Sequence, residues 1–353
     1  MKKKTGFILF AVTFLATTLL AASLSLPVAA AEVAKPTVDL SIYGHVVQVG
    51  WVVKDLDSVV NYWEKMGLKN IRRAGVMEFP DVTYRGKKTP LSMKMAFADI
   101  GGVQIEWIQP VKGKSVYDEF LQKHGDGVHH LAFGVASPEQ MEKQIAYFKS
   151  KDVGVIQRGS WEGTKGRGLF AYLDTAKRGA GVTFELAYNP DAPPAGTVSK
   201  SENEYPFNKI VQYAIVTPRL KKVDAFYQSL GFGGMPIDHN ISVNRIYRGK
   251  PGKFEMNLGW WRWGDVTFEW IEPLIGPSVY HESLKERGEG FHHLAFNVKD
   301  MDEAVKLLTA RGASESQSGG WDTPTSKGRF AYMDTDRIGG VTIELLWNQP
   351  MDK

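Results

Sequence analysis

The sequence predicts an α+β protein made of four βαβββ units that form two domains. The chain is duplicated beyond residue 38, since Val-His-His-Leu-Ala-Phe at 128–133 returns as Phe-His-His-Leu-Ala-Phe at 291–296. Each half is in turn a fainter duplication, because the order of one strand, one amphipathic helix and three strands occurs twice in it. With 353 residues the chain has room for two ordinary domains.

Other short segments recur in the same order in both halves. Tyr-Arg-Gly-Lys at 84–87 returns at 247–250, and Glu-Trp-Ile at 106–108 returns at 269–271, both at an offset of 163 residues. A proline- and glycine-rich stretch separates the halves. We therefore predict a first domain at 44–190, a linker at 191–207 and a second domain at 208–349.

The elements of each unit follow from hydrophobic periodicity and turn residues. For the first half we predict strands at 47–53, 82–84, 92–99 and 103–108, a helix at 55–66, and a hairpin turn at Gly101-Gly102. Its second unit has a strand from 129, a helix at 138–149, and strands near 155, 169–174 and 182–187. For the second half we predict strands at 211–216 and 293–298 and helices at 220–230 and 301–310.

The N-terminus predicts export. Lys2, Lys3 and Lys4 precede an apolar run from about residue 7 to 26, which Pro27 and a small-residue stretch follow. This order is typical of a signal peptide at 1–31, cleaved near Ala31, and implies a periplasmic or extracellular protein. The length of the apolar run leaves an uncleaved membrane anchor as the alternative.

Composition excludes several classes of protein and site. Without those three lysines the formal net charge falls from +4 to +1, which gives no electrostatic reason to expect nucleic acid as a partner. The chain has no cysteine, which excludes disulfides, thiolate metal ligands and a cysteine nucleophile.

Polar residues at equivalent strand positions carry the predicted chemistry. If paired units pack as pseudo-twofold mates, their first and last strands converge. We then expect two clusters, Gln48, Glu106, His130 and Glu185 in the first half, and Gln212, Glu269, His293 and Glu344 in the second. Because side chains alternate along a strand, we expect one histidine of each pair in the cluster, with His129 and His292 on the opposite face.

A glutamate inside an apolar strand is costly to bury without a partner, and a divalent cation would compensate it. Two carboxylates, one imidazole and one amide oxygen suit Mn²⁺, Fe²⁺, Co²⁺, Ni²⁺, Mg²⁺ or Zn²⁺ rather than a closed structural zinc site. A satisfied core histidine is the alternative for His130 and His293. We favour the metal site because each histidine recurs together with a distant glutamate.

Three segments resemble the vicinal oxygen chelate superfamily, which includes glyoxalase I, methylmalonyl-CoA epimerase, extradiol dioxygenases and bleomycin-resistance proteins. They are Gly-Val-His-His-Leu-Ala-Phe, Ile-Glu-Trp-Ile-Gln-Pro, and Gly-Arg-Phe-Ala-Tyr-Met-Asp-Thr leading to Val-Thr-Ile-Glu-Leu. The resemblance spans about 44–349, and the epimerase-like branch is closest in layout. It implies that His130 and His293 are metal ligands, as are the four glutamates of the clusters.

One departure from the family pattern narrows the function. The first-strand ligand is usually histidine, but both halves have glutamine there, namely Gln48 and Gln212. A single histidine per cluster argues against an extradiol dioxygenase, which needs two histidines and one carboxylate.

The resemblance implies a metal-dependent isomerase or lyase that stabilises an enolate or oxyanion of a small oxygenated or aromatic molecule, and the N-terminal pattern implies that it is exported. Glu185 and Glu344 are the candidate bases, beside a residue that the sequence does not identify. The alternative is a non-catalytic protein that binds and sequesters a small ligand.

Several other side chains have an open role at this stage. Tyr84, Tyr172, Tyr247 and Tyr332 either line a pocket or pack between strands. The tryptophans, including those of Trp-Trp-Arg-Trp at 260–263, either form the core or line a cavity. Arg167 and Arg329 either bind a substrate carboxylate or are solvated, and we expect the second.

Overall fold

The computed structural model describes residues 38–192 and 202–349, which contain two curled, half-barrel sheets of ten strands each. Elements of the first half are β1 Val46–Val52, α1 Leu56–Met66, β2 Arg72–Phe79, β3 Thr83–Tyr84, β4 Lys87–Lys88, β5 Leu91–Ile100, β6 Val103–Lys112, α2 Val116–His124, β7 Gly127–Gly134, α3 Pro138–Lys149, β8 Val155–Glu162, β9 Arg167–Leu173 and β10 Thr183–Tyr188. A 3-10 helix at Leu40–Gly44 precedes them.

The second half repeats this order with one short helix added near its end. Its elements are β11 Gln212–Val216, α4 Leu220–Ser229, β12 Ile237–Asn240, β13 Val243–Tyr247, β14 Lys250–Pro251, β15 Glu255–Trp263, β16 Val266–Ile275, α5 Val279–Arg287, β17 Gly290–Asn297, α6 Met301–Ala310, β18 Glu315–Thr323, β19 Ser326–Met333, α7 Asp336–Gly339 and β20 Thr342–Asn348.

The strand order confirms the predicted α+β fold of four βαβββ units. The first sheet runs β2-β5-β6-β1-β7-β10-β9-β8-β3-β4, so the first strands of two units, β1 and β7, pair antiparallel at its centre. Each is flanked by the last strand of its own unit in parallel register. The second sheet has the equivalent order around β11 and β17.

The two faces of each sheet have different neighbours. One apolar cluster joins the convex faces of both sheets to α1, α3, α4 and α6, and it includes Trp51, Trp107, Trp261 and Trp270. Separate clusters occupy the two concave faces, with Met93, Tyr117 and Phe170 among the members in the first half. Burying these large side chains is the main term that stabilises the fold.

Sequence reasoning placed the second strand of the first unit ten residues too late, at 82–84. The true strand is β2, at the sheet edge, and its side chains are mostly exposed or half-buried. Such a strand lacks the clear alternation that marks a half-buried strand. The segment predicted as a strand at 82–84 belongs to an additional hairpin.

We call these additional hairpins the strap hairpins; they are β3–β4 in the first half and β13–β14 in the second. Each leaves one unit and pairs with a strand of the other, β3 with β8 and β13 with β18. Arg85 and Gly86 both have positive φ, 46° and 77°, as a two-residue type I′ turn requires. The repeated Tyr-Arg-Gly-Lys motif is therefore the tip of a strap hairpin.

Two predictions fall wholly or partly outside the described residues. The signal peptide at 1–31 lies outside them, and so does part of the linker at 191–207. Within the described ranges, no helix is both long and apolar enough to cross a membrane.

Trp63 on α1 joins the two halves and gives a test of the packing. Its ring stacks on Trp51, with centroids 5.5 Å apart, and its Nε1 donates to the carbonyl oxygen of Gly339 at 3.0 Å. We expect Trp63→Ala to lower the free energy of unfolding by about 3–5 kcal/mol, because a large buried side chain is lost. Urea denaturation followed by circular dichroism measures it.

Lys65→Ala on the exposed face of the same helix is the matched control. We expect it to change the free energy of unfolding by about 0.5 kcal/mol or less. Equal losses for the two variants would contradict this packing.

Candidate metal centre

Strand register places the predicted residues of the first cluster on neighbouring strands. Gly50 of β1 pairs with Glu106 of β6 on one side and with His130 of β7 on the other. Two residues away along the strands, Ala132 of β7 pairs with Gln48 of β1 on one side and with Glu185 of β10 on the other. The two sets of paired residues are related by a local twofold axis between β1 and β7. All these side chains face the concave side of the sheet, because directly paired residues share a face.

The imidazole of His130 lies between two carboxylates. Its Nε2 is 3.0 Å from Oε2 of Glu185 and 3.6 Å from Oε2 of Glu106. His130 is fully buried, and the two glutamates are 4% and 8% exposed. Nε2 of His130 and Oε2 of Glu185 form an ion pair when Nε2 carries a proton, and neither atom has another hydrogen-bond partner among the described residues. A cation that both atoms can bind would take the place of that proton.

The two distances from Nε2 of His130 suit a divalent cation shared with either carboxylate. Ligand atoms that each lie about 2.1 Å from an ion, at right to tetrahedral angles, are about 3.0–3.4 Å apart. The separations around His130 fall close to this range. Carboxylate oxygen and imidazole nitrogen are also ligands that first-row divalent ions accept.

Gly50 makes room for the His130 ring. A Cβ atom on Gly50 would lie 1.9 Å from Cε1 of His130, far inside van der Waals contact. The ring therefore leans across β1 toward Glu106. The second half has Ala214 at the equivalent position, paired with His293.

The expectation that His129 and His292 face away from the clusters is wrong. Gly50 pairs with His130 but Trp51 pairs with Val128, so His129 is the extra residue of a β-bulge. The bulge brings both rings to the concave side, where Nδ1 of His129 lies 3.0 Å from Nδ1 of His130. His292 and His293 have the same relation at 2.9 Å, beside an equivalent bulge.

The second cluster contains all four predicted residues. Nε2 of His293 is 3.1 Å from Oε2 of Glu344 and 3.4 Å from Oε2 of Glu269. One ligand atom from each of these three residues lies within 4.8 Å of the others. Nε2 of Gln212 completes the group, 2.8 Å from Oε2 of Glu269 and 3.4 Å from Oε2 of Glu344. This buried Glu-His-Glu group could bind a divalent metal ion.

Gln48 is the predicted residue that does not join its cluster. It is half-buried, and its Nε2 donates to Oε1 of Gln104 at 2.7 Å. Gln104 is its partner in the parallel register of β1 and β6. The first cluster therefore consists of Glu106, His130 and Glu185.

The protonation of each histidine follows from its neighbours. Burial, together with the nearby His130, holds the pKa of His129 well below its ordinary value. Burial also acts to lower the pKa of His130, but the charge of Glu185 and hydrogen bonds to Glu106 and Glu185 outweigh it and raise this pKa to about 9. Neutral His129 is then the acceptor of the bond between the two Nδ1 atoms, which leaves Nε2 of His130 for the cluster.

Two buried tyrosines complete the surroundings of the first cluster. Tyr172 pairs with Glu185 in the sheet, and its hydroxyl lies 2.7 Å from the hydroxyl of Tyr117 on α2. Burial and the charge of Glu106 raise the pKa of Tyr117 well above its ordinary value. Tyr332 and Tyr280 repeat this pair beside Glu344, at 2.7 Å. Sequence reasoning had named Tyr172 and Tyr332 but had missed Tyr117 and Tyr280.

The remaining candidates have structural partners. Tyr84 and Tyr247 bond to Glu119 and Glu282, which hold the strap hairpins on α2 and α5. Arg167 pairs with Asp81 and Arg329 with Asp302, and both arginine side chains are about half exposed, as expected for solvated arginines. The tryptophans lie on both faces of the sheets. Trp51 and Trp261 belong to the core on the convex faces. The concave clusters are contacted by Trp161, Trp260 and Trp321.

Removing His130 tests how far the cluster depends on its imidazole. We expect His130→Ala to lower the free energy of unfolding at pH 7 in chelator by about 3–5 kcal/mol, because two buried carboxylates lose their partner. Chemical denaturation measures this loss.

His45→Ala is the matched control, because its side chain is 61% exposed and pairs with Asp265 at the surface. We expect it to lower the free energy of unfolding by about 1 kcal/mol or less. An equally small effect of His130→Ala would show that the cluster holds no charge that needs compensation.

Comparison with known proteins agrees with this architecture. The chain is 26% identical over 138 residues to the uncharacterised protein YqjC of Bacillus subtilis (strain 168), which covers 39% of this chain and 91% of that protein.

Two solved structures are similar at low identity. A triple mutant of 4-hydroxymandelate synthase from Streptomyces coelicolor aligns with a TM-score of 0.56 and 13% identity, covering 87% of this chain and 93% of that one. A fusion of a xylose isomerase-like TIM barrel with a 4-hydroxyphenylpyruvate dioxygenase aligns at 0.50 and 14%, covering 91% and 51%. These structures share the fold.

A family profile matches more than half of the chain, in two repeats. It is the profile of the glyoxalase/bleomycin resistance protein/dioxygenase superfamily, and it matches residues 47–172 and 211–332. The two matches correspond to the two ten-stranded sheets. The chain therefore belongs to the glyoxalase/bleomycin resistance protein/dioxygenase superfamily, also called the vicinal oxygen chelate superfamily.

Proposed function

We propose that the protein is a metal-dependent enzyme, an isomerase or lyase that acts on a small oxygenated or aromatic molecule. The observation that carries this proposal is the buried group of Glu269, His293 and Glu344, whose ligand atoms lie within 4.8 Å of one another. The first half supports it with Nε2 of His130, which lies 3.0 Å from Oε2 of Glu185 and 3.6 Å from Oε2 of Glu106. Two buried carboxylates need a cationic partner, which is the protonated imidazole in the metal-free chain and the ion when it is bound.

Each cluster residue has a distinct task in this proposal. His130 and Glu106 hold the ion in the first half, and His293 and Glu269 do so in the second. Gln212 joins them when its amide turns so that Oε1 replaces Nε2 beside Glu269. A bound divalent ion supplies a Lewis acid that stabilises an enolate or oxyanion. Glu185 is a ligand and the candidate base, because its carboxylate lies beside His130 at the concave face of the sheet. Glu344 occupies the equivalent place.

The concave walls define the class of substrate. Phe79, Leu91, Met93 and Phe170 surround the first cluster with apolar surface, and Tyr117 and Tyr172 supply hydroxyl groups. We therefore infer a small substrate with an apolar body and neighbouring oxygen atoms. The concave face of the second sheet has the same character, with Phe254, Met256 and Tyr332.

The ligand set favours proton-transfer chemistry over oxygen activation. Non-haem iron oxygenases use two histidines and one carboxylate on one face of the metal. Each cluster here offers one imidazole and two carboxylates. The likeness to the two solved structures, a synthase and a dioxygenase fusion, therefore supports the fold. It does not support the same reactions for this chain.

Sequestration of a small ligand without catalysis is the second candidate function, and the apolar concave clusters favour it. The two functions differ in their need for metal. Loss of turnover in chelator supports the enzyme, and unchanged ligand affinity in chelator supports sequestration. We also propose that the protein is exported, on the lysines and apolar run of residues 1–31.

Metal content tests the proposal directly. We expect purified protein reconstituted with Mn²⁺ to hold up to two ions per chain, measured by plasma mass spectrometry after gel filtration. We expect Glu344→Gln to remove the ion of the second cluster, because it deletes one of the two carboxylate charges there.

Glu162→Gln is the matched control, since this glutamate side chain is 83% exposed. We expect it to leave the metal content unchanged. The same loss of Mn²⁺ in this variant, or no ion in wild type, would contradict the proposed sites.

The bulged histidine gives a second test. We expect His129→Phe to weaken Mn²⁺ binding to the first cluster about 10- to 100-fold, because His130 loses the acceptor that orients its ring. Electron paramagnetic resonance of free Mn²⁺ measures the dissociation constant.

His129→Asn keeps an acceptor and should recover part of the affinity that His129→Phe loses. Indistinguishable affinity of His129→Phe and wild type would assign His129 to packing alone.

A further inference from the structure

The two clusters differ in one residue, and the difference has a visible cause. Gln212 lies 6% exposed within its cluster, 2.8 Å from Glu269. Gln48 occupies the equivalent strand position but bonds instead to Gln104 at 2.7 Å. The same side chain thus has two different partners in the two halves.

Strand register explains why Gln48 has a competing partner. Gln104 stands two residues before Glu106 on β6 and pairs directly with Gln48. The residue two places before Glu269 is Thr267. The threonine hydroxyl sits on Cβ, so it lacks the two-carbon reach that lets Gln104 meet the Gln48 amide. Gln212 therefore has no equivalent neighbour to bond with.

We propose that Gln104 is a positioning residue that withholds Gln48 from the first cluster and makes the two metal sites unequal in affinity. This inference rests on the proposed metal-dependent function. Gln104 does not contact the cluster itself; it acts by holding the Gln48 amide at the exposed edge of the site. The first site then has three ligands from the chain, and the second gains a fourth when the Gln212 amide turns its Oε1 toward the ion.

The size of the effect follows from the bond that competes. A site that needs Gln48 binds more weakly in proportion to the fraction of molecules in which Gln48 is free. One neutral hydrogen bond shifts such an equilibrium about two- to tenfold. We therefore expect the first site to gain about two- to tenfold in affinity when the competing bond is removed.

The experiment titrates Mn²⁺ into full-length variants and follows free Mn²⁺ by electron paramagnetic resonance. The Glu344→Gln background reports the first site, and Glu185→Gln reports the second. We expect Gln104→Thr in the first background to lower the dissociation constant about two- to tenfold. The reciprocal Thr267→Gln in the second background should raise it by a similar factor.

A double-mutant cycle separates positioning from a general effect. With Gln48→Ala in the Glu344→Gln background, Gln104→Thr should leave Mn²⁺ affinity unchanged, because no amide remains to be released. Gln104 is exposed and threonine suits a strand, so we expect folding to survive; Gln104→Val is the second variant.

The outcomes distinguish this inference from the function on which it rests. Mn²⁺ binding at the first site that neither Gln104→Thr nor Gln104→Val tightens would overturn the inference and leave the proposed metal sites standing. An equal gain in the Gln48→Ala background would also overturn it. Absence of Mn²⁺ binding in wild type would overturn both.

Discussion

The burial of two carboxylates around one imidazole is the constraint on which the structure depends. Each glutamate lies on the last strand of its unit, next to the central pair of strands. Charges in such a place are stable only when they are paired and hydrogen-bonded. Register, the small residues Gly50 and Ala132, and the bulge at His129 all serve to bring the imidazole between the acids.

The bulge gives each histidine pair two roles. Alternation along an unbroken strand would send one ring into the helix-covered core, where burial without a partner is costly. Instead His129 lies among Tyr117, Phe120 and Tyr172 and orients His130 through the bond between their Nδ1 atoms. The site is thus supported by an inner and an outer layer of side chains, as metal-binding histidines generally are.

Much of the fold was predictable because repetition and periodicity are local signals. The helices at Pro138–Lys149 and Met301–Ala310 agree with their predicted bounds, since each has a clear apolar face and a capping residue. The edge strand β2, the bulges and the bond between Gln48 and Gln104 depend on which strand lies beside which. Such pairings are set by tertiary structure, which a single sequence does not display.

The central claim is that each cluster encloses one divalent ion. Anomalous X-ray diffraction from crystals soaked in Mn²⁺, collected near the manganese edge, tests it most directly. We expect one peak among Glu106, His130 and Glu185 and a stronger one among Gln212, Glu269, His293 and Glu344. Peaks confined to surface carboxylates, with neither cluster occupied, would contradict the claim.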